Sequence, residues 1–358
     1  MARAIVLARR GLGRTSPNPP VGAVVVRGGR VVGEGWHRRA GGPHAEIVAL
    51  RRAGARAAGA TLYVTLEPCA HFGRTPPCVD AVLAAGVARV VVGAGDPNPR
   101  VRGRGLRRLR RAGVRVATGV LAAEAEAVAG WFRTAVARRR PYVLLKLAAS
   151  ADGRIATAAG ESRWVSGPRA RAAVHRLRDR VDAVMVGAGT VRADDPALTC
   201  RLRGGRDPVR VIVAGRLRVP PGARVFRQRS SAPTLVATTA AAPAARRRVL
   251  ARAGVEVVVL PGRGGRLRLA ALLEALWARG IVSVLLEGGG DLAAAALRER
   301  VVDRVLLVLA PVLIGGDGRP MLGPLGRARL AAAIRLRDVR LARLGPDLLW
   351  EGAVQYRR

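Results

Sequence analysis

Three side chains within residues 42–78 have the types and spacing of a catalytic zinc site. They are His44, Cys69 and Cys78, and each cysteine directly follows a proline. One imidazole and two thiolates are ligands that zinc accepts, and a set of three protein ligands leaves the fourth position open for water. Glu46 follows the histidine by two residues, where its carboxylate is placed to carry protons for that water.

The order of these residues narrows the chemistry. A His-x-Glu triplet followed by Pro-Cys and a further Cys is typical of zinc enzymes that deaminate nucleobases. In those enzymes two residues separate the cysteines, whereas eight separate Cys69 from Cys78. Two other interpretations stay open. One is a deaminase of the tRNA-editing kind, and the other is a structural zinc site in which His37 or His71 supplies a fourth ligand.

The elements predicted around these residues form a layered α/β domain. They are a helix over residues 3–12, strands over 21–26 and 30–37, a helix up to 53, strands over 61–66 and 89–93, and a helix over 78–86. His44 and Glu46 then lie at the N-terminal end of a helix, and Cys78 opens the next one. A helix N-terminus lowers the pKa of a thiol, so Cys78 is expected to be a ready thiolate.

A charged run at residues 138–141 ends in proline and is the predicted linker between domains 1–141 and 142–358. The second half repeats none of the zinc motifs. Its strand-like runs, separated mostly by helical segments, lie at 142–147, 183–187, 209–214, 234–238, 255–260, 283–286 and 304–309. This alternation predicts a second α/β sheet. The glycine turn at 287–291 offers backbone N–H groups to a phosphate, although no Gly-x-Gly-x-x-Gly follows the first strand.

The composition limits the class of partner. The chain has 358 residues, of which 50% are apolar and 3% aromatic, and its formal net charge is +39. Every basic residue except Lys146 is an arginine or histidine, and the arginines are scattered without aromatic platforms for bases to stack on. We therefore expect a small anionic substrate and no nucleic acid. The longest apolar run, at 305–314, is about half a membrane span, so we expect no membrane partner.

The three cysteines form no disulfide framework, because two of them stand in the ligand-like motif. Cys200 is left over and is predicted to be a buried, inert thiol. Arginines interrupt the apolar residues at 1–10, which predicts an amphipathic helix and not a signal peptide. We expect a cytoplasmic protein that forms a homo-oligomer.

Beyond the zinc motif, the chain resembles the bifunctional riboflavin-biosynthesis deaminase–reductase family over essentially its full length. The motifs that carry the resemblance lie at residues 17–19, 44–46, 65–69 and 73–78 in the first half, and at 146–154, 193–199 and 287–289 in the second. The separation of eight residues between the two cysteines is that of this family. The resemblance implies a cytidine-deaminase-like α/β/α domain followed by a dihydrofolate-reductase-like α/β domain.

The resemblance implies two consecutive reactions and two cofactors, zinc and NADPH. The first is zinc-dependent hydrolytic deamination of 2,5-diamino-6-ribosylamino-4-pyrimidinone 5′-phosphate. The second is reduction of the ribosyl side chain to ribityl by NADPH, which gives 5-amino-6-ribitylamino-uracil 5′-phosphate. His44, Cys69 and Cys78 are the implied zinc ligands, and Glu46 is the implied proton-transfer residue.

The resemblance also implies binding residues in both halves. The implied contacts to the deaminase substrate are Asn18, His71, Arg74, Asp96 and Asn98. The implied contacts to the reductase substrate are Ser162, Arg178, Leu198, Arg201 and Glu287. The implied contacts to NADP are Ala148, Trp164, Thr190, Asp194, Gly289, Gly290 and Asp291. From the sequence alone, without the resemblance, we would interpret His71 as a surface-loop histidine and Trp164 as a core residue.

Two positions stand apart from the general pattern. Lys146 is the only lysine of the chain, and its ammonium is a flexible point charge that the planar guanidinium of arginine does not replace. We expect Lys146 to be catalytic, either by orienting the ribose chain or by assisting proton delivery. Gly215 stands where the family usually has a serine or a similar polar residue in contact with the cofactor.

Overall fold

A computed structural model of the chain describes residues 1–73, 75–99 and 101–356. The chain folds into two compact units, Met1–Arg140 and Pro141–Arg358, and each has its own sheet and core. Within the described ranges, no helix has both the length and the hydropathy of a membrane span.

The first unit is built on a five-stranded sheet. Its elements are α1 (Ala2–Arg9), β1 (Gly22–Arg27), β2 (Arg30–Trp36), α2 (Ala45–Ala53), β3 (Thr61–Leu66), α3 (Cys78–Ala84), β4 (Arg89–Ala94), α4 (Arg104–Arg111), β5 (Arg115–Thr118), α5 (Ala122–Val128) and α6 (Gly130–Arg138). The strand order is β2-β1-β3-β4-β5. β1 is antiparallel to β2 and β3, whereas β3, β4 and β5 are parallel.

Both faces of this sheet are covered by helices. Alternate residues of a strand point to one face, and Leu62, Val64, Val90 and Val92 pack there against α2, α3 and α4. On the other face α1 packs against β1, and α5 packs against the ends of β3 and β4. The first unit is therefore an α/β/α layer structure, as the resemblance implies.

The second unit is built on a nine-stranded sheet. Its elements are β6 (Tyr142–Ser150), β7 (Arg154–Ala156), α7 (Pro168–Arg180), β8 (Ala183–Gly187), α8 (Ala188–Asp194), β9 (Val209–Val213), β10 (Thr234–Thr238), α9 (Ala244–Arg252), β11 (Glu256–Val259), β12 (Gly262–Arg263), β13 (Arg266–Leu267), α10 (Leu269–Ala278), β14 (Ser283–Leu286), α11 (Gly290–Arg298), β15 (Arg304–Ala310), β16 (Arg319–Pro320), β17 (Arg335–Leu344) and β18 (Asp347–Gln355). The strand order is β11-β10-β9-β8-β14-β6-β15-β18-β17.

The seven strands from β11 to β15 are parallel, and β18 and β17 complete the sheet as an antiparallel pair. Parallel strands are covered on both faces and are therefore rich in apolar residues. β14 is an example, since all four of its residues are buried. The carboxyl ends of parallel strands meet at one edge of the sheet, where α/β proteins bind ligands.

The predicted strands at 61–66, 183–187, 234–238 and 283–286 are confirmed at both ends. The sequence prediction missed β5 and the hairpin of β17 and β18. β17 is mostly exposed and carries several arginines among its apolar residues. Charged residues are usual on edge strands, so the apolar run by which a buried strand is recognised is absent there.

Candidate active sites

The three predicted zinc ligands come together in the first unit. One ligand atom from each of His44, Cys69 and Cys78 lies within 4.8 Å of the other two. His44 Nδ1 is 3.1 Å from Cys78 Sγ and 3.7 Å from Cys69 Sγ. Zinc at its usual ligand distances of about 2.0–2.3 Å holds neighbouring ligand atoms roughly 3.6 Å apart. The donor set and its spacing therefore fit a zinc ion.

Each ligand is placed by the end of a secondary-structure element. His44 is the N-cap residue of α2, Cys78 is the first residue of α3, and Cys69 lies in the turn after β3. Thr75 Oγ1 lies 3.4 Å from His44 Nε2, the ring nitrogen on the side away from the sulfurs. This contact orients the ring so that Nδ1 faces the ligand cluster.

The two thiols are joined by a hydrogen bond that shifts their pKa values in opposite directions. Hydrogen bonding from the Cys78 thiol, assisted by His44, lowers the pKa of Cys69. The same hydrogen bond, together with burial, raises the pKa of Cys78. The helix N-terminus that was expected to favour a Cys78 thiolate serves Cys69 instead, because the Cys78 N–H points at Cys69 Sγ, 3.3 Å away. Metal ligation requires both thiols to be deprotonated, so zinc binding releases the remaining proton.

Glu46 is buried in the first turn of α2, with 4% of its surface exposed. Burial raises the pKa of its carboxyl group, and the charge of His44 opposes that effect. A carboxyl group whose pKa is raised toward neutrality can both take up and return a proton. Its interaction with Cys78 places it beside the ligand cluster.

His37 supports the site and does not supply a fourth ligand. Its Nδ1 lies 3.0 Å from the carbonyl oxygen of Pro43, and Asn18 Nδ2 lies 3.1 Å from its Nε2. Because the amide nitrogen of Asn18 is a donor, Nε2 accepts and Nδ1–H donates to Pro43. Burial lowers the pKa of His37, which favours this neutral form. The interpretation of a closed four-ligand site gains no support, since the cluster found in the described part of the chain has three ligands.

The remaining predicted substrate contacts of this unit lie in two loops. His71 is half-buried in the loop after Cys69, and its Nδ1 is buried with no hydrogen-bond partner among the described residues. Such an atom is free to meet a ligand. Asp96 follows β4, and its Oδ1 accepts a hydrogen bond of 2.7 Å from the Asn98 N–H. Burial raises the pKa of Asp96 to about 6. Arg74 lies outside the described residues.

Glu67 is a supporting residue that the sequence prediction missed. Its buried carboxylate accepts hydrogen bonds from the backbone N–H groups of Gly103, Gly105 and Leu106, at 2.9, 3.1 and 3.4 Å. These are unpaired donors at the start of α4, which a carboxylate caps favourably. A Cβ on Gly105 would lie 2.0 Å from the carbonyl oxygen of Pro68, so only glycine allows this approach. Glu67 therefore ties the turn that carries Cys69 to the start of α4.

In the second unit, Lys146, Arg178 and Glu287 form a charged cluster, in which the side chains of Arg178 and Glu287 are 13% and 11% exposed. Arg178 Nε and Nη2 donate to the two oxygens of Glu287 at 2.7 and 2.9 Å, and Nη1 donates to the carbonyl oxygen of Thr199 at 3.0 Å. Burial lowers the pKa of Lys146, while Glu287 opposes and Arg178 reinforces the shift. Burial alone would raise the pKa of Glu287, but the charge of Arg178 outweighs it and the pKa is lowered.

Two other predicted substrate residues, Leu198 and Arg201, lie in the segment that follows α8. The Arg201 N–H lies 3.3 Å from Nδ1 of His175, which is one helical turn before Arg178 on α7. The side chain of Leu198 is buried, so a ligand contact there would come from its backbone. Cys200 is half-buried, with its Sγ 3.5 Å from the carbonyl oxygen of His175, and the prediction of a fully buried thiol is wrong.

Hydrogen bonds join predicted NADP residues to one another and to the predicted substrate residue Ser162. Thr190 Oγ1 accepts the N–H of Gly289 at 3.2 Å, which connects the end of β8 to the end of β14. Ser162 Oγ donates to Asp194 Oδ1 at 3.3 Å. α11 begins at Gly290, where a Cβ would lie 2.8 Å from the carbonyl oxygen of Pro320. This glycine turn at a helix N-terminus fits the phosphates of a dinucleotide.

Three further predicted NADP residues are described by their position and exposure. Ala148 lies half-buried in β6 opposite Val308 of β15, and Asp291 is exposed in the first turn of α11. Trp164 is 67% exposed, with the Arg171 guanidinium 4.5 Å from its ring centroid. The alternative of a core tryptophan is therefore wrong.

Two family models match the chain, one in each unit. Residues 141–350 match a model described as the RibD C-terminal domain. Residues 1–94 match a model described as the cytidine and deoxycytidylate deaminase zinc-binding region. Each model matches a different unit. The matched region 1–94 contains all three predicted zinc ligands and Glu46.

Curated relatives and solved structures are similar over nearly the full length. The riboflavin biosynthesis protein RibD of Escherichia coli (strain K12) is 43% identical over 97% of this chain and 96% of its own. The Acinetobacter baumannii RibD structure has a TM-score of 0.89 at 39% identity, covering 99% of this chain and 97% of its own. A Thermotoga maritima diaminohydroxyphosphoribosylaminopyrimidine deaminase/5-amino-6-(5-phosphoribosylamino)uracil reductase has a TM-score of 0.85 at 38% identity, with the same coverage.

Proposed function

The chain belongs to the RibD family of riboflavin biosynthesis proteins, and from this premise we propose that its two units act in turn on one phosphoribosylated pyrimidine. It is a bifunctional enzyme, with a zinc-dependent deaminase and an NADPH-linked reductase, and its substrate is a pyrimidine derivative. We assign the deaminase to residues 1–141 and the reductase to residues 142–358. The compact units and the two matched regions support this division.

The cluster of His44, Cys69 and Cys78 beside the buried Glu46 carries the deaminase assignment. These three residues would hold zinc, which when bound supplies a Lewis acid and an activated water. Glu46 takes a proton in its carboxyl group and returns it to the ring nitrogen and the departing ammonia. The substrate is 2,5-diamino-6-ribosylamino-4-pyrimidinone 5′-phosphate, as the activity named for the Thermotoga maritima relative suggests.

The loops beside the zinc cluster bind that substrate. Asn18, His71, Asp96 and Asn98 contact the base and the ribose phosphate, together with Arg74. Two observations support these contacts. The Nδ1 atom of His71 has no hydrogen-bond partner among the described residues, and Asn18 lies beside the zinc cluster through its hydrogen bond to His37.

In the reductase unit, Arg178, Arg201, Ser162, Glu287 and the backbone of Leu198 bind the deaminated pyrimidine. The buried ion pair of Arg178 and Glu287 fixes both side chains in one geometry. Lys146 lies within their electrostatic influence, so its ammonium can orient the ribose chain or deliver the proton that completes the ribityl group. The product is 5-amino-6-ribitylamino-uracil 5′-phosphate.

NADPH supplies the reducing equivalents when it is bound in this unit. Thr190, Asp194, the turn from Gly289 to Asp291, and Ala148 form its cradle, with Trp164 available to stack on it. The hydrogen bond that joins Thr190 to Gly289 supports a cradle at the carboxyl ends of β8 and β14.

We also propose a homo-oligomer in the cytoplasm that binds neither nucleic acid nor membrane. Val339, Leu341 and Leu348 are exposed on the hairpin of β17 and β18 at the edge of the sheet, and apolar side chains grouped on an edge hairpin support contact with another copy. The scattered arginines, without aromatic platforms, argue against nucleic acid.

Incubation of purified protein with the diaminopyrimidine phosphate tests the proposal. Without NADPH we expect ammonia and the deaminated pyrimidine, and with NADPH the ribitylamino product. Chelation of zinc should abolish ammonia release and leave reduction of supplied deaminated pyrimidine unchanged, since zinc belongs to one site only. Ammonia release that survives complete removal of the metal would refute the zinc assignment.

A further inference from the structure

The chain leaves β15 through a short segment, residues 311–317, which we call the strap. Its residues are all exposed or half-buried, and Leu313 keeps 79% of its surface exposed. Side chains that stay in water gain little from the hydrophobic effect, which is proportional to the apolar area removed from water. The position of the strap is therefore set by its polar contacts and not by packing.

The carboxylate of Asp152 is the acceptor for two successive N–H groups of the strap. Its Oδ2 accepts the N–H of Gly315 at 2.7 Å, and its two oxygens share the N–H of Ile314 at 3.2 and 3.3 Å. Hydrogen bonds to an ionised acceptor are about twice as strong as those between neutral groups. The Ala151 N–H also donates to the carbonyl oxygen of Val312 at 2.9 Å. The strap is thus held to the turn that follows β6.

Asp152 is itself fixed from β6. The fully buried Ser150 hydroxyl donates to Asp152 Oδ1 at 2.5 Å and accepts the N–H of Arg154 at 2.9 Å. The hydrogen bonds from Ser150 and from the strap lower the pKa of Asp152 to about 2, so the carboxylate is ionised at neutral pH. Lys146, Ala148 and Ser150 alternate along β6 and therefore point to one face of the sheet. The anchor of the strap begins on the face that carries the proposed catalytic lysine.

Beyond the strap, the chain continues to the start of α11. β16 pairs with β7, and the Gly323 N–H donates to the carbonyl oxygen of Gly290 at 3.0 Å. The strand order β14-β6-β15 places this path along the carboxyl ends of three adjacent parallel strands. Lys146 lies on β6, and Glu287 directly follows β14. The path therefore borders the reductase site on the side where these two residues stand.

We propose that Asp152 is a positioning residue of the reductase, and that it holds the strap as a wall of the pyrimidine site. The inference rests on the proposed function, because it adds a residue to the site assigned there. The Asp152 carboxylate acts on the pyrimidine only through the strap. A strap that is already ordered loses little conformational entropy when the pyrimidine binds, whereas a free one must be ordered at that moment. Loss of the carboxylate therefore weakens binding more than it slows the reduction of bound pyrimidine.

Steady-state kinetics of reduction, with deaminated pyrimidine supplied directly, test the inference. Asp152→Ala should raise KM for the pyrimidine about tenfold and lower kcat by less than about threefold, since the lost hydrogen bonds go to a charged group. Asp152→Asn keeps one acceptor oxygen and the size of the side chain, so KM should rise only about threefold. It carries the test if the alanine variant does not fold. Glu274→Ala is the matched control, because it removes an exposed carboxylate of the same unit on α10, and both constants should be unchanged.

Hydrogen exchange of the free protein checks the anchor without any substrate. In Asp152→Ala the amides of Ile314 and Gly315 should exchange at least about tenfold faster, while those of β6 and α11 keep their wild-type rates. The dissociation constant of NADPH should not change, because the contacts beyond the strap remain. An unchanged KM, or a fall in kcat as large as the rise in KM, would overturn the role of Asp152 and leave the reductase assignment intact. Wild-type protein that reduces no pyrimidine would overturn the reductase assignment itself.

Discussion

The two units place their chemical groups in different ways. In the first unit the proposed zinc ligands and the proton carrier lie within residues 44–78, and each ligand stands at the end of a helix or strand. In the second unit Lys146, Arg178 and Glu287 come from three distant parts of the chain, and a buried ion pair holds two of them. A site made from one short stretch can be read as a motif. A site gathered by a parallel sheet becomes visible only when its strand ends are in place.

The protonation of the two sites differs as well. In the first, burial raises the pKa of Glu46, which stands beside metal-ligand positions. In the second, the charge of Arg178 lowers the pKa of Glu287 in spite of its burial, whereas the pKa of Lys146 is lowered mainly by its own burial. The first site therefore keeps a proton for transfer on a carboxyl group, and the second on an amine. Substitutions of Glu46 and Lys146 test this difference directly, and substitutions of Asp96 and Glu67 test the loops that surround the first site.

Glu46→Gln should have the largest effect. The amide cannot carry a proton, so ammonia release should fall by roughly two to four orders of magnitude, with zinc content unchanged. Ammonia assays and metal analysis provide the measurement. Glu34→Gln removes an exposed carboxylate paired with Arg3 in the same unit and should leave the rate within twofold. A Glu46→Gln protein with near-normal ammonia release would exclude this residue as the proton carrier.

Asp96→Asn should change how stability depends on pH. The pKa of Asp96 is raised to about 6 in the folded protein from 3.8, so its contribution is most favourable below about pH 4 and is lost as the pH rises through about 6. The neutral amide avoids that loss. The variant should match the wild type near pH 4 and be more stable at pH 8, by up to about 3 kcal/mol.

Urea unfolding at pH 4, pH 5 and pH 8 measures this difference for Asp96→Asn. Asp80→Asn is the control, because it removes another carboxylate of the same unit, which pairs with Arg108 at the surface. Its effect should be the same at pH 5 and at pH 8. A stability difference for Asp96→Asn that does not grow with pH would show that burial of this carboxyl group is not costly.

Glu67→Ala should destabilise the first unit by about 2 kcal/mol, since it leaves backbone donors at the start of α4 without their acceptor. Glu67→Gln keeps one of the two acceptor atoms and should recover part of that loss. Because the loop before α4 carries Asp96 and Asn98, we expect KM for deamination to rise more than kcat falls. Equal stability of the Ala and Gln variants would argue against a capping role.

Lys146→Arg should have the smallest effect of the four. The charge is kept but its reach and geometry change, so we expect reductase activity to fall about tenfold, or roughly 1.4 kcal/mol of transition-state stabilisation. Deamination should continue, and the deaminated pyrimidine should accumulate in a coupled assay. Arg263→Lys, the reverse exchange at an exposed position, is the control. If the Lys146→Arg variant reduces the deaminated pyrimidine at the normal rate, Lys146 has no role in catalysis.

The same comparison explains what the sequence could predict. The ligand cluster follows from residue types at fixed spacing, and buried strands such as β14 follow from continuous apolar runs. The roles of Glu67 and His37 do not follow, because each depends on backbone groups that folding brings close. The hydrogen bond between the thiols of Cys69 and Cys78 does not follow either, because the turn after β3 and the start of α3 come together only in the folded chain.

In the second unit the glycine turn before α11 is visible in the sequence, but the reason for Gly215 is not. A Cβ on Gly215 would lie 1.9 Å from the carbonyl oxygen of Gly265, in a hairpin of two-residue strands, β12 and β13, that lies about fifty residues further along the chain. Among so many arginines, Arg178 does not stand out by type. Its largely buried ion pair with Glu287 identifies it in the structure.

Mixing two inactive variants tests most directly whether the two steps belong to separate sites. Glu46→Gln cannot deaminate and Lys146→Ala cannot reduce, so neither should convert the diaminopyrimidine phosphate to the ribitylamino product. In an equimolar mixture with NADPH, the product should form, because pyrimidine deaminated by one protein is reduced by the other. No product from the mixture, although Glu46→Gln reduces deaminated pyrimidine supplied directly, would contradict two independent sites.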